Sequence, residues 1–166
     1  MQMSDNLYIT LVRHAKSDWD NDLDDHDRPL NHRGLKDAPM MGKLIGKNLL
    51  PPDLVISSSA VRALVTASLV VGETGNQNIL IEPDLYHSGV SDFTKVLTKH
   101  ASNHRHVIVF AHNPGISDFL YYLDSNALLS MPTCAVAHLQ VLAPAWDQLT
   151  RNCGRLIQYW YPSMLK

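Results

Sequence analysis

Leu7–Val12 reads LYITLV and runs into Arg13-His14, and His106–Ala111 reads HVIVFA and runs into His112-Asn113-Pro114. Both are short apolar runs of β-branched and aromatic residues. That is the pattern of a strand buried on both faces, as in a parallel sheet. Each run ends in a histidine. If the two strands share one parallel sheet, both imidazoles emerge at the same edge. The carboxyl edge is where open α/β sheets bind their ligands.

Outward from these runs, strands and helices alternate. Asp18–Asp27 is acidic and irregular and reads as a loop. Asn31 is a plausible N-cap for a helix over Arg33–Leu49, spaced by Leu35, Ala38, Met41 and Ile45. Pro39 argues against regular first turns, and Pro51-Pro52 stops the helix. Asp53–Ser57 predicts a second strand, Ala60–Val71 a helix, and Gly72–Asn78 a break. Ile79–Ile81 follows as a short strand. Ser91 caps a helix across Phe93–His100, and Pro114 suits the first turn of a helix reaching Tyr122. Cys134–Leu142 and Leu156–Tyr161 read as the last strands. The expected fold is one domain over residues 1–166, a three-layer α/β/α sandwich around a mostly parallel sheet.

Composition fits that expectation. The chain has 166 residues, 45% apolar and 18% charged, with net charge −2, which is the profile of a globular domain. No basic face for nucleic acid follows from such a balance. No apolar run approaches the roughly 20 residues of a membrane span, and Met1–Asn6 lacks the basic start of a signal peptide. Cys134 and Cys153 form neither a disulfide framework nor a metal knuckle. The expected setting is the cytoplasm.

The sheet edge would gather chemistry of one kind. Arg62 lies one short loop after the second strand and would join Arg13, His14 and His112. Guanidinium forks match phosphate oxygens bidentately and keep their charge. An unprotonated imidazole, with a reference pKa of about 6.5, is a nucleophile near neutral pH. A second histidine can donate to charge developing on the transferring oxygens. Phosphoryl transfer needs mainly positioning and charge stabilisation, so no metal or other cofactor is required.

The motifs themselves resemble a known family. LVRHAKSDWD at Leu11–Asp20 is similar to the RHG motif of the histidine phosphatase superfamily, the phosphoglycerate-mutase-like group. Ala15 stands for the usual glycine, as in the small SixA-like phosphohistidine phosphatase branch. Arg28-Pro29-Leu30 with Gly34 resembles the RPLTxxG stretch. Ser57–Ala63 with Thr66-Ala67 resembles SSPxxRAxxTA, Ser59 replacing the proline. Val109–Pro114 resembles the second-histidine motif in its HNP form. The resemblance implies that His14 is the nucleophile and that Arg13, Arg62 and His112 complete a phosphate pocket. Ser17 and Asn113 become substrate-binding candidates. Mutase-type members carry Asn where Asp20 stands, and a carboxylate there would repel phosphate.

The general acid is the open position. Glu82 and Asp84 lie in the interval where many members of the superfamily carry one, whereas the SixA-like branch does without it. The expectation is a phosphohydrolase working through phosphohistidine, acting on a phosphohistidine protein. A small-molecule phosphomonoesterase and a non-catalytic phosphate-binding module are the alternatives. Other signals fail on spacing. Asp18, Asp20 and Asp22 start like an EF-hand, but Leu23 and Pro29 occupy its glycine and glutamate positions. Gly42–Lys47 is one residue short of a P-loop. His100, His104 and His106 straddle a helix end and a strand start, so no metal site is expected.

Overall fold

In the computed structural model, which describes residues 6–20, 22–75 and 78–166, one six-stranded sheet carries helices on both faces. The elements in chain order are β1 (Leu7–Arg13), α1 (His32–Asn48), β2 (Leu54–Ser57), α2 (Val61–Val71) and β3 (Leu80–Ile81). Then come α3 (Val90–His100), β4 (His106–Ala111), α4 (Gly115–Leu123), β5 (Val136–Val141) and β6 (Gly154–Trp160). The strand order is β3-β2-β4-β1-β5-β6. The first four strands are mutually parallel, while β5 and β6 run antiparallel at one end.

The two best apolar runs pair at the centre. Their register sets Leu11 opposite Val109 and Arg13 opposite Ala111. Every residue of β4 is buried, as a strand covered on both faces requires. β6 lies at an edge, and its residues are exposed or half-buried. Ile9, Leu11, Val107 and Val109 face α3 and α4, where Phe93 and Phe119 stack at 4.8 Å. Val12, Ile108 and Phe110 face the opposite way, onto Met41, Ile45 and Val70 of α1 and α2. Emptying a site such as Phe110 would cost about 3–5 kcal/mol.

Local chemistry explains the boundaries. Asn31 Oδ1 accepts the Gly34 N–H at 2.9 Å and caps α1, as expected. The helix runs through Pro39 and stops at Leu49, ahead of the two prolines. A Cβ on Gly34 would meet the Lys16 carbonyl oxygen at 2.2 Å, so this start of α1 sits directly on the segment after β1. α3 begins two residues earlier than the Ser91 cap predicts. Gly89 is its N-cap, and the Asp92 carboxylate accepts the Gly89 N–H at 2.8 Å. β5 begins at Val136 instead of Cys134, because Cys134 has φ +62° and gives its N–H to the Arg13 and His14 carbonyls. Of the break expected at Gly72–Asn78, residues 76 and 77 lie outside the described residues, as does residue 21 of the acidic loop. No helix among the described residues is long and apolar enough to cross a membrane.

Candidate active site

Parallel register brings the two histidines together. Arg13 and Ala111 are partners, so His14 and His112 are the next residues out at the carboxyl edge. The His14 N–H bonds to the Ala111 carbonyl at 3.1 Å, and the ring centroids lie 5.1 Å apart. Both residues are 7% exposed and line one cavity of about 320 Å³.

His14 Nδ1 lies 2.7 Å from the Ala15 carbonyl oxygen. A carbonyl only accepts, so Nδ1 carries the hydrogen and Nε2 carries the lone pair. Burial lowers the His14 pKa to about 4; the Ala15 carbonyl opposes this, and the charges of Arg62, Arg13 and Arg28 reinforce it. At neutral pH the ring is therefore uncharged with Nε2 free, as a nucleophile requires. His112 is set differently. Its Nε2 meets Ser58 Oγ at 2.8 Å, and Ser58 Oγ accepts the Ala60 N–H at 3.2 Å. Burial, then the neighbouring His14 and Arg62, lower the His112 pKa to about 3. With the Ser58 hydroxyl donating to Nε2, the hydrogen sits on Nδ1, which is buried with no partner among the described residues. That orphan donor is free for an incoming oxygen.

Arg13 and Arg62 both line the cavity. Arg13 Nη1 donates to the Met131 carbonyl at 3.0 Å, and burial followed by the charge of Arg62 lowers its pKa. Arg62 is 5% exposed and donates to both the backbone and the carboxylate of Asp25. The Nε atoms of Arg13 and Arg62 are buried without a partner among the described residues. Two crowded guanidiniums with unmet donors form an environment that favours an anion. Arg28 joins them: it donates to Ser17 Oγ at 2.6 Å and to Asp25 Oδ1 at 3.1 Å, and stacks on Trp19 at 3.5 Å.

The structure thus gathers His14, Arg13, Arg62, His112, Ser17 and Asn113 around one cavity. Ser17 Oγ is engaged by Arg28. The Asn113 amide is anchored at both ends, to the Met131 carbonyl at 2.8 Å and to Ser117 Oγ at 2.5 Å. Glu82 and Asp84 do not line the cavity. Glu82 is buried against His100 at 2.9 Å, with Lys99 at 3.9 Å. Burial would raise its pKa, but the His100 hydrogen bond, the Asp84 N–H and Lys99 bring it below the ordinary value. Asp84 is exposed, beside it on the surface.

Sequence reasoning missed Asp25, Arg28, Tyr86 and Ser58 as site residues. Asp25 sits on a single 3-10 turn, Asp25–Asp27, and the loop closes back on the site through a bridge between Ser17 and Leu30. His26 of the same turn meets Ser59 Oγ at 2.9 Å, which gives the serine in the proline position a partner. The Asp25 carboxylate accepts from Tyr86, Arg62 and Arg28. The Tyr86 hydroxyl first, and then the two arginines, outweigh burial and hold it far below the usual carboxylate range. Among the described residues no three His, Cys, Asp or Glu side chains come together as a metal set.

Comparison with known proteins gives the family and the fold. The sequence model of the histidine phosphatase superfamily, branch 1, matches residues 9–107. An uncharacterized chloroplastic protein of Arabidopsis thaliana is 28% identical over an alignment of 151 positions that covers 84% of this chain and 69% of that one. An uncharacterized protein of Mycobacterium tuberculosis is 28% identical over an alignment of 162 positions that covers 91% of this chain and 99% of that one. The structure of the protein histidine phosphatase SixA complexed with tungstate has the same fold. It superposes with TM-score 0.82 at 19% identity, covering 96% of this chain and 100% of that one.

Proposed function

Because the chain belongs to the histidine phosphatase superfamily and is a phosphatase, we propose that it hydrolyses phosphohistidine on a protein, with His14 as nucleophile. His14 Nε2 attacks phosphorus as the bond to the leaving group breaks, giving phosphorylated His14. Water then attacks that phosphorus, the P–N bond breaks, and phosphate leaves. Arg13, Arg62 and the His112 Nδ1–H stabilise charge on the non-bridging oxygens in both steps. Ser17 acts through Arg28 by fixing its guanidinium, and Asn113 holds the Met131 carbonyl on which Arg13 rests.

One observation carries the choice of substrate. Asp25 is the only carboxylate lining the cavity among the described residues, and it is kept ionised by Tyr86 and two arginines. An ionised carboxylate has no proton to give. An alkoxide leaving group needs that proton, whereas an imidazole leaves readily. Transfer from a substrate imidazole to His14 also exchanges one P–N bond for another, so it is close to balanced. The same reading takes the cytoplasm as the compartment, on the two free buried thiols.

The test is a comparison of phosphohistidine peptide, phosphoserine peptide and a sugar phosphate under identical conditions. The expected order is fast, slow and slow. Faster hydrolysis of the sugar phosphate would replace this reading with a small-molecule phosphomonoesterase. Tight binding without turnover of any of the three would make the protein a phosphate-binding module.

A further inference from the structure

A second cavity, of about 400 Å³, adjoins the phosphoryl cavity and shares Asn113 with it. Pro114, Ser117 and Tyr121 form one wall, along α4, and Leu128 and Leu129 belong to the loop that follows it. Leu128 is 80% exposed, Tyr121 40% and Leu129 37%. Large apolar side chains held together in water beside a reaction centre mark a binding surface.

The groove is built, not loose. Ser117 Oγ accepts the Met131 N–H at 3.0 Å and bonds Asn113 Oδ1. The Met131 carbonyl accepts from Asn113 and from Arg13. The groove wall and a phosphate arginine therefore share one anchor. Whatever delivers a phosphoryl group past Asn113 must lie next to Tyr121 and Leu128. A small phosphoester would leave the groove empty.

Charge on another part of the rim argues the same way. Asp20, Asp22, Asp24 and Asp27 are all exposed on the loop that carries Asp25. They repel small polyanions approaching the mouth and attract a chain bearing lysine or arginine.

We propose that the groove between Tyr121 and Leu128 seats apolar side chains of the polypeptide that carries the phosphohistidine, with basic residues of that polypeptide meeting the acidic rim. This assignment rests on the phosphohistidine reading above. It makes the substrate a protein segment with leucine-type residues near the modified histidine.

Two synthetic peptides test it, each with one phosphohistidine and the same lysines, one flanked by leucines and the other by serines. Wild-type kcat/KM should favour the leucine peptide by about tenfold, as expected for burying one anchor side chain. Leu128→Asp and Tyr121→Ala should abolish that preference. Both positions are exposed, so the fold should survive, and kcat/KM on p-nitrophenyl phosphate should stay within about twofold of wild type as the control. Equal rates on the two peptides in wild type, or a preference that persists in both variants, would overturn the groove assignment while leaving phosphohistidine hydrolysis standing. If neither peptide is hydrolysed but p-nitrophenyl phosphate is, the functional reading fails and the groove assignment falls with it.

Discussion

Asp25 holds Arg62 at two points: its backbone carbonyl accepts from Nη1 at 2.6 Å and its carboxylate accepts from Nη2 at 3.0 Å. The other carboxylate oxygen accepts from Arg28 Nε. A single aspartate on the rim loop thus fixes two of the guanidiniums that would clamp phosphate. It also places a negative charge close to where the phosphoryl group must sit.

These two effects oppose each other and can be separated. Asp25→Asn keeps the backbone contact but weakens the hold on both guanidiniums. It also removes a charge that repels phosphate. The expected result is a split: kcat falls at least about tenfold, while inorganic phosphate or vanadate inhibits as well as or better than in wild type. Arg62→Lys lacks a fork altogether and should lose about 10²–10³ in kcat/KM, with weaker vanadate inhibition. Equal losses of oxyanion affinity in the two variants would make Asp25 a ligand-contacting group instead of a positioning one.

His14→Ala should abolish turnover with little change in thermal stability, since the ring borders the cavity. Rapid quench of wild type with labelled substrate should give acid-labile, base-stable label on His14. The reference imidazole value places the rising limb of kcat/KM at about 6–7. The structure moves it. Burial and the arginines lower the His14 pKa to about 4, so the ring is deprotonated throughout the range above that value. Activity should rise with pH through about 4 and be flat from about 5.5 to 7.5. A rising limb that stays near 6.5 would contradict the buried setting of His14.

The central strands and the two histidines at their ends were legible because a buried parallel strand announces itself as an unbroken apolar run. The cap of α3 is hard to read from sequence because Gly89 caps without a side chain, and the signal is the Asp92 carboxylate three residues on. Asp25 was not legible. Two of its three side-chain partners are 37 and 61 residues away, in α2 and at Tyr86, and within its own segment it is one of six aspartates. Local pattern cannot say which of six carboxylates a folded chain will bring back onto an arginine. Glu82 shows the converse. Its position in the chain suggested a proton donor, but it faces His100 at the end of α3.

A buried imidazole relay at the other end of the sheet predicts acid sensitivity. His106 Nδ1 meets the Leu50 carbonyl at 2.9 Å, and its Nε2 meets Thr10 Oγ1 at 2.7 Å. His138 Nδ1 meets the same Thr10 oxygen at 2.8 Å. The carbonyl requires a hydrogen on His106 Nδ1, so the Thr10 hydroxyl donates to His106 and accepts from His138. Burial lowers the pKa of His106, and burial followed by the charge of His106 lowers that of His138 to about 4. The unfolded chain, near 6.5, binds more protons in that interval, so stability is present above about 6.5 and is lost as pH falls toward 4. Denaturant unfolding should show a loss of about 2 kcal/mol between pH 7.5 and 5 from His138 alone, with His106, His14 and His112 adding to it in the same direction. His138→Gln should flatten the slope, and an unchanged slope would remove the relay from the account.

Leaving groups give the sharpest test of the chemistry. The cavity offers an incoming phosphoryl group guanidiniums and a neutral imidazole donor, and its one carboxylate among the described residues is already ionised. Glu82 is held below its ordinary pKa by the balance of His100, the Asp84 N–H and Lys99 over burial, and it lies outside the cavity. Neither it nor the exposed Asp84 is placed to protonate a departing oxygen. Rates should therefore drop steeply from phosphohistidine and p-nitrophenyl phosphate to alkyl phosphates, by about 10²–10⁴, the usual worth of a general acid. Glu82→Gln and Asp84→Asn should leave kcat/KM on the good leaving groups within about twofold. Above its rise near pH 4, the profile should show no falling limb from an essential carboxylic acid. The opposite pattern is simple to recognise. Fast sugar-phosphate hydrolysis that collapses in Glu82→Gln or Asp84→Asn would mean that this segment swings a proton donor into the cavity during turnover. The substrate would then be a small phosphoester.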